Sequence, residues 1–397
     1  MIKISQRSGA IAPSMTLAIS ARANELKASG EKIINFGVGE PDFATPAHIV
    51  QAAKDALDKG YTKYVAASGL PALKNAIVKK LKTENNLDYA PSQIIVSNGA
   101  KPSIYNALFA TIDEGDEVLI PKPYWLTYPE IVKSCGGVPV FVMATYRHGY
   151  KVTASQIENM ITPKTKVLIF NSPCNPTGAV YTEEEILKIA DVCRRYNLTV
   201  ISDEIYEKLI YGGETHFSIA SVLKEQTIVI NGVSKSYAMT GWRLGYLAAP
   251  EHVAKAIASF QSHSTSNVNT VTQYAAIAAL TGDEKPMRDM IAAFGKRRQF
   301  MLDKLETMKE YGFDYIRPDG AFYVMLLCDN LYGKTHAGRR IRGSADFAEL
   351  LLENKKVAAT PGVVFGDDDF IRLSYALGEK DIEEGLSRII EFAKETE

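Results

Sequence analysis

Between residues 46 and 250 the chain alternates short β-branched runs with stretches whose apolar residues recur at helical spacing. The runs 93–97, 117–120, 138–142, 166–170, 198–202 and 227–230 read as strands. Between them lie helices such as 101–110 and 183–196. The second starts from a Thr182 cap and gathers Ile186, Ile189, Ala190 and Cys193 on one face. Strands this apolar, separated by helices, predict an α/β fold with a mostly parallel sheet buried on both faces. Past Pro250 the pattern turns helical over 251–281 and 286–311. It ends as an α+β tail, with strands at 321–327, near Val357 and at 370–374, a helix at 344–353 and a last helix from Lys380. This tail reads as a second, smaller domain. The segment 330–343, with Lys334, Arg339, Arg340, Arg342 and three glycines, reads as a solvated mobile loop.

Composition narrows the function. The 397 residues are 46% hydrophobic and 23% charged, the proportions of a globular protein. Forty-five basic against 46 acidic residues leave a net charge of −1, without the basic excess of a nucleic-acid binder or the polybasic cluster of a membrane-surface protein. Cys135, Cys174, Cys193 and Cys328 lie too far apart for a zinc pair and are too few for a disulfide framework, which favours a reducing compartment. The apolar stretch 10–23 is interrupted by Pro13, Ser14, Thr16 and Ser20, and no run of ~18 apolar residues occurs, so a cytoplasmic protein without a membrane span is expected. The six histidines show no metal spacing, and no metal is expected. Gly37-Val38-Gly39 has Asp42 where a dinucleotide fingerprint needs its third glycine.

The chemistry concentrates just past the carboxyl ends of the strands. Asn98-Gly99-Ala100-Lys101 follows 93–97, Tyr124-Trp125 follows 117–120, and Asn175-Pro176-Thr177-Gly178 follows 166–170. Asp203-Glu204-Ile205-Tyr206 follows 198–202, and Ser234-Lys235 follows 227–230. Each cluster alone is ordinary loop chemistry, but together they occupy the edge where open α/β sheets bind ligands. A glycine-opened helix at Ala100 suits a phosphate, and Arg243 can add a charge-assisted contact to it. Lys235 at a loop apex can form a Schiff base, and Asp203 can keep a pyridine nitrogen protonated. A phosphate, a Schiff base and a pyridinium partner describe pyridoxal 5′-phosphate.

Four separated motifs carry a family resemblance: Gly37-Val-Gly-Glu-Pro-Asp-Phe43, Asn171-Ser-Pro-Cys-Asn-Pro-Thr-Gly178, Asn231-Gly-Val-Ser-Lys-Ser-Tyr-Ala-Met-Thr-Gly-Trp-Arg-Leu-Gly-Tyr246 and Ile371-Arg-Leu-Ser374. In this order they resemble the fold-type I, class I aminotransferases, and within them the prokaryotic aspartate aminotransferases, over nearly the whole chain. The resemblance implies Lys235 as the Schiff-base lysine and proton shuttle, Asp203 on the pyridine nitrogen, Tyr206 and Asn175 on the phenolic oxygen, and Trp125 stacked on the ring. It implies phosphate contacts from Gly99, Ala100, Lys101 and Arg243, with Tyr64 reaching in from the partner of a homodimer. Arg372, with Asn175 and the Gly39 backbone, would hold the substrate α-carboxylate. One departure stands at Gly232, three residues before Lys235, where many relatives place a phosphate-binding serine. The implied division is a large cofactor domain over 47–285 and a small one from 1–46 plus 286–397, with an N-terminal arm.

The implied reaction moves an amino group from L-aspartate to 2-oxoglutarate by a ping-pong mechanism. A second substrate carboxylate is expected to meet Lys101, with hydroxyl contacts from Ser14 and Thr16, and with the 262–266 cluster contributing across a dimer interface. The alternatives on the same cofactor residues are an aromatic, prephenate or kynurenine aminotransferase, and a lyase or synthase. Amino and oxo acids are the expected small-molecule partners.

Overall fold

The computed structural model describes residues 2–13, 15–213 and 215–397, the side chains of Arg7, Thr16, Leu17, Ser20 and Arg147 aside. Its centre is a seven-stranded sheet. In chain order the strands are β1 (Ile94–Ser97), β2 (Glu117–Lys122), β3 (Val138–Met143), β4 (Thr165–Asn171), β5 (Thr199–Asp203), β6 (Thr227–Gly232) and β7 (Gly245–Ala248). They lie side by side as β1-β7-β6-β5-β4-β2-β3. The mostly parallel sheet is as expected: β1 to β6 point one way, and β7 alone runs antiparallel, wedged between β1 and β6. β7 is a strand that the sequence pattern hides, because its first two residues, Gly245 and Tyr246, end the Asn231-to-Tyr246 motif.

Both faces are covered, and the alternation along single strands shows it. Val118, Ile120, Val167 and Ile169 join one apolar cluster with the helix Ala100–Thr111, while Leu119, Leu168 and Phe170 join another with Glu183–Arg195. The second helix begins in a reciprocal cap. The Thr182 hydroxyl accepts the Glu185 N–H, and the Glu185 carboxylate accepts the Thr182 N–H. Glu183 to Glu185 in the first turn and Arg194 and Arg195 in the last complement the helix dipole.

The tail forms a four-stranded antiparallel sheet, ordered Thr360–Pro361, Phe370–Ser374, Tyr323–Leu327, Asp314–Ile316, with the helices Lys285–Met308, Ser344–Lys355 and Glu379–Lys394 around it. The N-terminal side of the chain is stitched onto it: Ile34–Asn35 pairs in parallel with Val357–Ala358, and the Ser374 N–H donates to the Phe36 carbonyl. Two expectations need correction. The helical stretch 251–281 is two helices, Glu251–Ser264 and Thr270–Thr281, parted where Ser266 takes a φ of 59° and Asn269 caps the second. The segment 330–343 is a tied hairpin, with Thr335–His336 paired to Arg339–Arg340. Arg339 pairs with Glu349 and Glu353, Arg342 pairs with Asp346, and Thr335 is bonded through its backbone to Glu397. Those arginines are held by acids four to fourteen residues downstream, which charge counting within the segment does not reveal.

Candidate active site

Asp203 is the last residue of β5 and sits in register with Asn171, the last residue of β4. The Asn171 amide donates to the Asp203 carbonyl (2.8 Å), and its side-chain oxygen accepts the Asn175 N–H (3.0 Å), so two strand ends and the following turn are locked together. The Asp203 carboxylate accepts the Tyr128 hydroxyl at 2.7 Å and the Ile205 N–H at 3.3 Å. Burial pushes its pKa up to about 6; those hydrogen bonds oppose the rise, Glu204 adds to it and Lys235 opposes it. Lys235 lies just past β6, and its ammonium donates to the Gly39 carbonyl. Burial brings the Lys235 pKa down to about 8, against the nearby Glu40 carboxylate and helped by Arg372 and Arg243.

Beside them is an anion cradle. The helix Ala100–Thr111 opens from Gly99 at φ 107°, with no side chain to cap its first N–H groups. Gly245 of β7 packs directly against that opening: a Cβ there would lie 2.3 Å from the Ala100 nitrogen and 2.4 Å from the Gly99 carbonyl carbon. A Cβ on Gly99 would fall 2.6 Å from the Arg243 guanidinium, which therefore lies over the helix start. Arg243 is fixed by donating to the Thr240 carbonyl (2.8 Å), and the Thr240 hydroxyl donates to Glu40 (2.6 Å). The same packing accounts for Gly232. A Cβ there would meet the Gly245 Cα and the Leu244 carbonyl at 3.0 Å, so a serine would crowd the strand that closes the cradle.

The other wall carries Arg372, buried at 3% exposure in the strand Phe370–Ser374. Its guanidinium donates to Asn175 (2.8 Å), the Gly37 carbonyl (3.2 Å) and Thr360 (3.4 Å), and lies 4.1 Å from the Tyr323 ring centroid. Its Nε is a buried donor without an acceptor. Burial lowers the Arg372 pKa, with Tyr323 and Tyr206 opposing. The Tyr206 and Tyr323 hydroxyls are 2.9 Å apart. Asn35 accepts the Gly37 N–H (3.0 Å) and so shapes the strap from Gly37 to Glu40.

Asp203, Tyr206, Lys235, Arg243, Trp125 and Arg372 thus line one cavity of about 560 Å³, with Gly39, Ala100, Lys101 and Asn175 also on its walls and Gly99 behind the Arg243 guanidinium. The Lys101 ammonium lies 4.9 Å from the Trp125 ring centroid, its pKa lowered by burial and by Arg243. Tyr64 is not brought in; it is 89% exposed. Ser14 and the side chain of Thr16 fall outside the described residues. Residues 262–266 do not line the cavity. Sequence reasoning missed Tyr128, Tyr323, Glu40 and Asn171. Two of these had a signal: Glu40 belongs to the Gly37-to-Phe43 motif, and Asn171 opens the Asn171-to-Gly178 motif.

A lysine that loses its proton near neutral pH, a buried carboxylate facing it and an anion cradle at the same sheet edge fit a phosphate-bearing aldehyde, and the sheet and cavity are those of a fold-type I pyridoxal 5′-phosphate enzyme. The orphaned Arg372 Nε adds a place for a carboxylate in the same cavity. The family model described as aminotransferase class I and II matches residues 31–389, and this chain belongs to that family. It is 47% identical over 394 residues to the aspartate aminotransferase of Geobacillus stearothermophilus, covering 98% of this chain and 99% of that protein. It is 43% identical over 394 residues to the aspartate/prephenate aminotransferase of Nitrosomonas europaea, with 98% and 99% covered. Among solved structures it resembles an aspartate aminotransferase from Rhizobium meliloti, with a TM-score of 0.95, 39% identity and all of both chains covered. Among the described residues no helix is long and apolar enough to cross a membrane.

Proposed function

We propose that this chain transfers the amino group of L-aspartate to 2-oxoglutarate, giving oxaloacetate and L-glutamate in a ping-pong cycle. One observation carries the choice of a dicarboxylic substrate: a second cation, Lys101, lines the same cavity as Arg372. A substrate with two carboxylates then has a partner for each. The names of the full-length relatives point the same way.

Pyridoxal 5′-phosphate, when bound, supplies the electron sink that stabilises negative charge at the substrate α-carbon. The Gly99, Ala100 and Lys101 amides and Arg243 would hold its phosphate, Asp203 its ring nitrogen, Tyr206 and Asn175 its phenolic oxygen, Trp125 its ring face and Lys235 its aldehyde carbon. The work of the chain is to orient and to move a proton. Arg372, steadied by Asn175 and the Gly37 carbonyl, grips the α-carboxylate and so fixes the α-carbon beside Lys235. With its pKa at about 8, the Lys235 amine exchanges its proton close to neutral pH, which suits a group that takes the α-proton and later returns it. Asp203, at about 6, is ionised at neutral pH and keeps a proton on the group it faces.

The large domain runs from 47 to 285, and the small one combines 1–46 with 286–397; the pairing of Ile34–Asn35 with Val357–Ala358 supports joining the two chain ends. Tyr64, exposed and outside its own cavity, would serve the phosphate of the partner in a homodimer. Cys174, Cys193 and Cys328 are free thiols, in keeping with the cytoplasm.

Steady-state turnover over a panel of amino donors, with 2-oxoglutarate as acceptor, tests the reading. Lys101→Ala should raise KM for aspartate roughly tenfold and leave aromatic donors nearly unchanged. Equal effects on both donor classes would remove Lys101 from substrate recognition. Because a relative is named for prephenate as well as aspartate, prephenate belongs in the acceptor panel as the second reading.

A further inference from the structure

Behind the turn that presents Asp203 and Tyr206 lies a closed set of charges that the proposed reaction does not use. Residues 203–207 read Asp-Glu-Ile-Tyr-Glu, and they divide by face: Asp203, Ile205 and Tyr206 line the cavity, whereas Glu204 and Glu207 do not and are buried, at 1% and 8% exposure. One Glu204 oxygen accepts the hydroxyls of Ser202 (2.8 Å) and Ser218 (2.6 Å), and the other lies 2.9 Å from His216 Nε2. One Glu207 oxygen accepts the buried Lys80 ammonium, and the other accepts the Asn85 amide at 2.6 Å. Lys80 also lies 3.8 Å from Glu84, which pairs with Lys208 at 2.6 Å. The backbone closes the turn, with the Glu204 N–H on the Ile230 carbonyl and the Glu207 N–H on the Glu204 carbonyl, both at 2.9 Å.

Glu204, Glu207 and His216 bring their ligand atoms within 4.8 Å of one another, which resembles a metal site. Each of the four carboxylate oxygens, however, already has a donor from the protein. Lys80 and Lys208 offset two of the three carboxylates of Glu84, Glu204 and Glu207, and His216, once protonated, offsets the third. The groups facing His216 are Glu204 and Glu207 from the turn and Lys80 from the helix Pro71–Asn85. Burial works against its proton, but the two carboxylates outweigh burial and Lys80, and the pKa of His216 is raised.

We propose that Glu204 and His216 are positioning residues for the reaction: backed by Lys80 and Glu207, the pair clamps the turn that aims Asp203 and Tyr206 into the cavity and keeps an unbalanced negative charge from building up next to Asp203. The inference rests on the reading of Asp203 and Tyr206 as cofactor contacts. The buried Glu204 carboxylate, one residue from Asp203, already raises the affinity of Asp203 for a proton, and a protonated His216, 2.9 Å from that carboxylate, limits the rise. The sequence therefore places in one pentapeptide three residues for the cavity, Asp203, Ile205 and Tyr206, and two, Glu204 and Glu207, for the support behind it.

The test uses the full-length holoenzyme and follows the pH midpoint of its visible absorbance together with kcat and KM. His216→Gln keeps a hydrogen-bond donor but strands the Glu204 charge, so the midpoint should rise by about one pH unit. In that variant kcat should fall about tenfold, with KM for aspartate changed less than about twofold because Arg372 and Lys101 are untouched. Glu204→Gln should shift the midpoint downwards, which gives a readout even where His216→Gln fails to fold, and Glu204→Gln/His216→Gln should return it to the wild-type value. The imidazole signals of His216 by nuclear magnetic resonance should show a protonated ring at pH 7 in the wild type and a neutral one in Glu204→Gln. Lower melting temperatures with an unmoved midpoint in every variant would reduce the pair to structural support and overturn the proposal. One zinc ion per chain by equilibrium dialysis, lost in the double variant, would overturn it in favour of a metal site. A wild-type protein that binds cofactor without a pH-dependent band would overturn the functional reading and this inference with it, whereas a titrating wild type with unshifted variants overturns this inference alone.

Discussion

The two walls of the cavity are built on different plans. On the cofactor side, Asp203, Lys235 and the Gly99 turn lie within three residues of the ends of strands of the seven-stranded sheet, so its ladder fixes their places. On the carboxylate side, Arg372 is held by Asn175, Thr360 and the Gly37 carbonyl, the last 335 residues away in the chain. The first wall is set by local geometry, and the second exists only when distant segments meet. Losses on the first should therefore appear in cofactor retention and chemistry, and losses on the second in substrate affinity.

The largest effect should come from Lys235→Ala, which removes the group that moves the α-proton; turnover should fall by roughly 10³-fold or more. Single-turnover assays with added cofactor measure it, and near wild-type rates would end the assignment. Arg372→Ala should reduce kcat/KM for aspartate about 100-fold, chiefly through KM, because a buried charge-assisted contact is lost and Asn175 loses its donor. Its cofactor content, read from absorbance after dialysis, should match the wild type. A cofactor-free Arg372→Ala protein would show that the walls are not independent.

Tyr128→Phe probes the cofactor wall more gently. It deletes the 2.7 Å hydrogen bond that opposes the burial of the Asp203 charge, so Asp203 should hold its proton to higher pH than the present value of about 6. Its kcat should fall about tenfold, and the acid limb of the kcat–pH profile should move upwards. An unmoved acid limb would mean that Asp203 does not set it.

What could be read beforehand follows the same division. Asp203, Lys235 and Asn175 are legible because strand ends are visible as apolar runs and the chemistry sits just beyond them, and Arg243 is legible from the motif that it shares with Lys235. Tyr128 and Tyr323 are not, since each acts by touching another site residue, Tyr128 across 75 positions and Tyr323 across 117. β7 was hidden because Gly245 and its neighbours belong to a motif read for its chemistry. In the hairpin around Thr335, the acids that hold the arginines come from the next helix. Position in a regular element is local information; a partner across the fold is not.

The smallest expected effect concerns the strap that crosses both walls. Gly37 accepts Arg372, Gly39 accepts Lys235, and Glu40 accepts the hydroxyl of Thr240, whose carbonyl steadies Arg243. The Glu40 charge works against burial to keep the proton on Lys235. Glu40→Gln keeps an acceptor for Thr240 but removes that charge, so the Lys235 pKa should drop below its value of about 8. A lysine whose pKa is lowered offers more neutral amine at a given pH. The rate at which the apoprotein captures pyridoxal 5′-phosphate should therefore rise with pH around a midpoint near 8 in the wild type, and around a lower midpoint in Glu40→Gln. Stopped-flow absorbance across pH 6 to 10 measures both curves. Coincident curves would mean that Glu40 supports the strap through its hydrogen bond alone, and that the two walls share a scaffold without sharing charge.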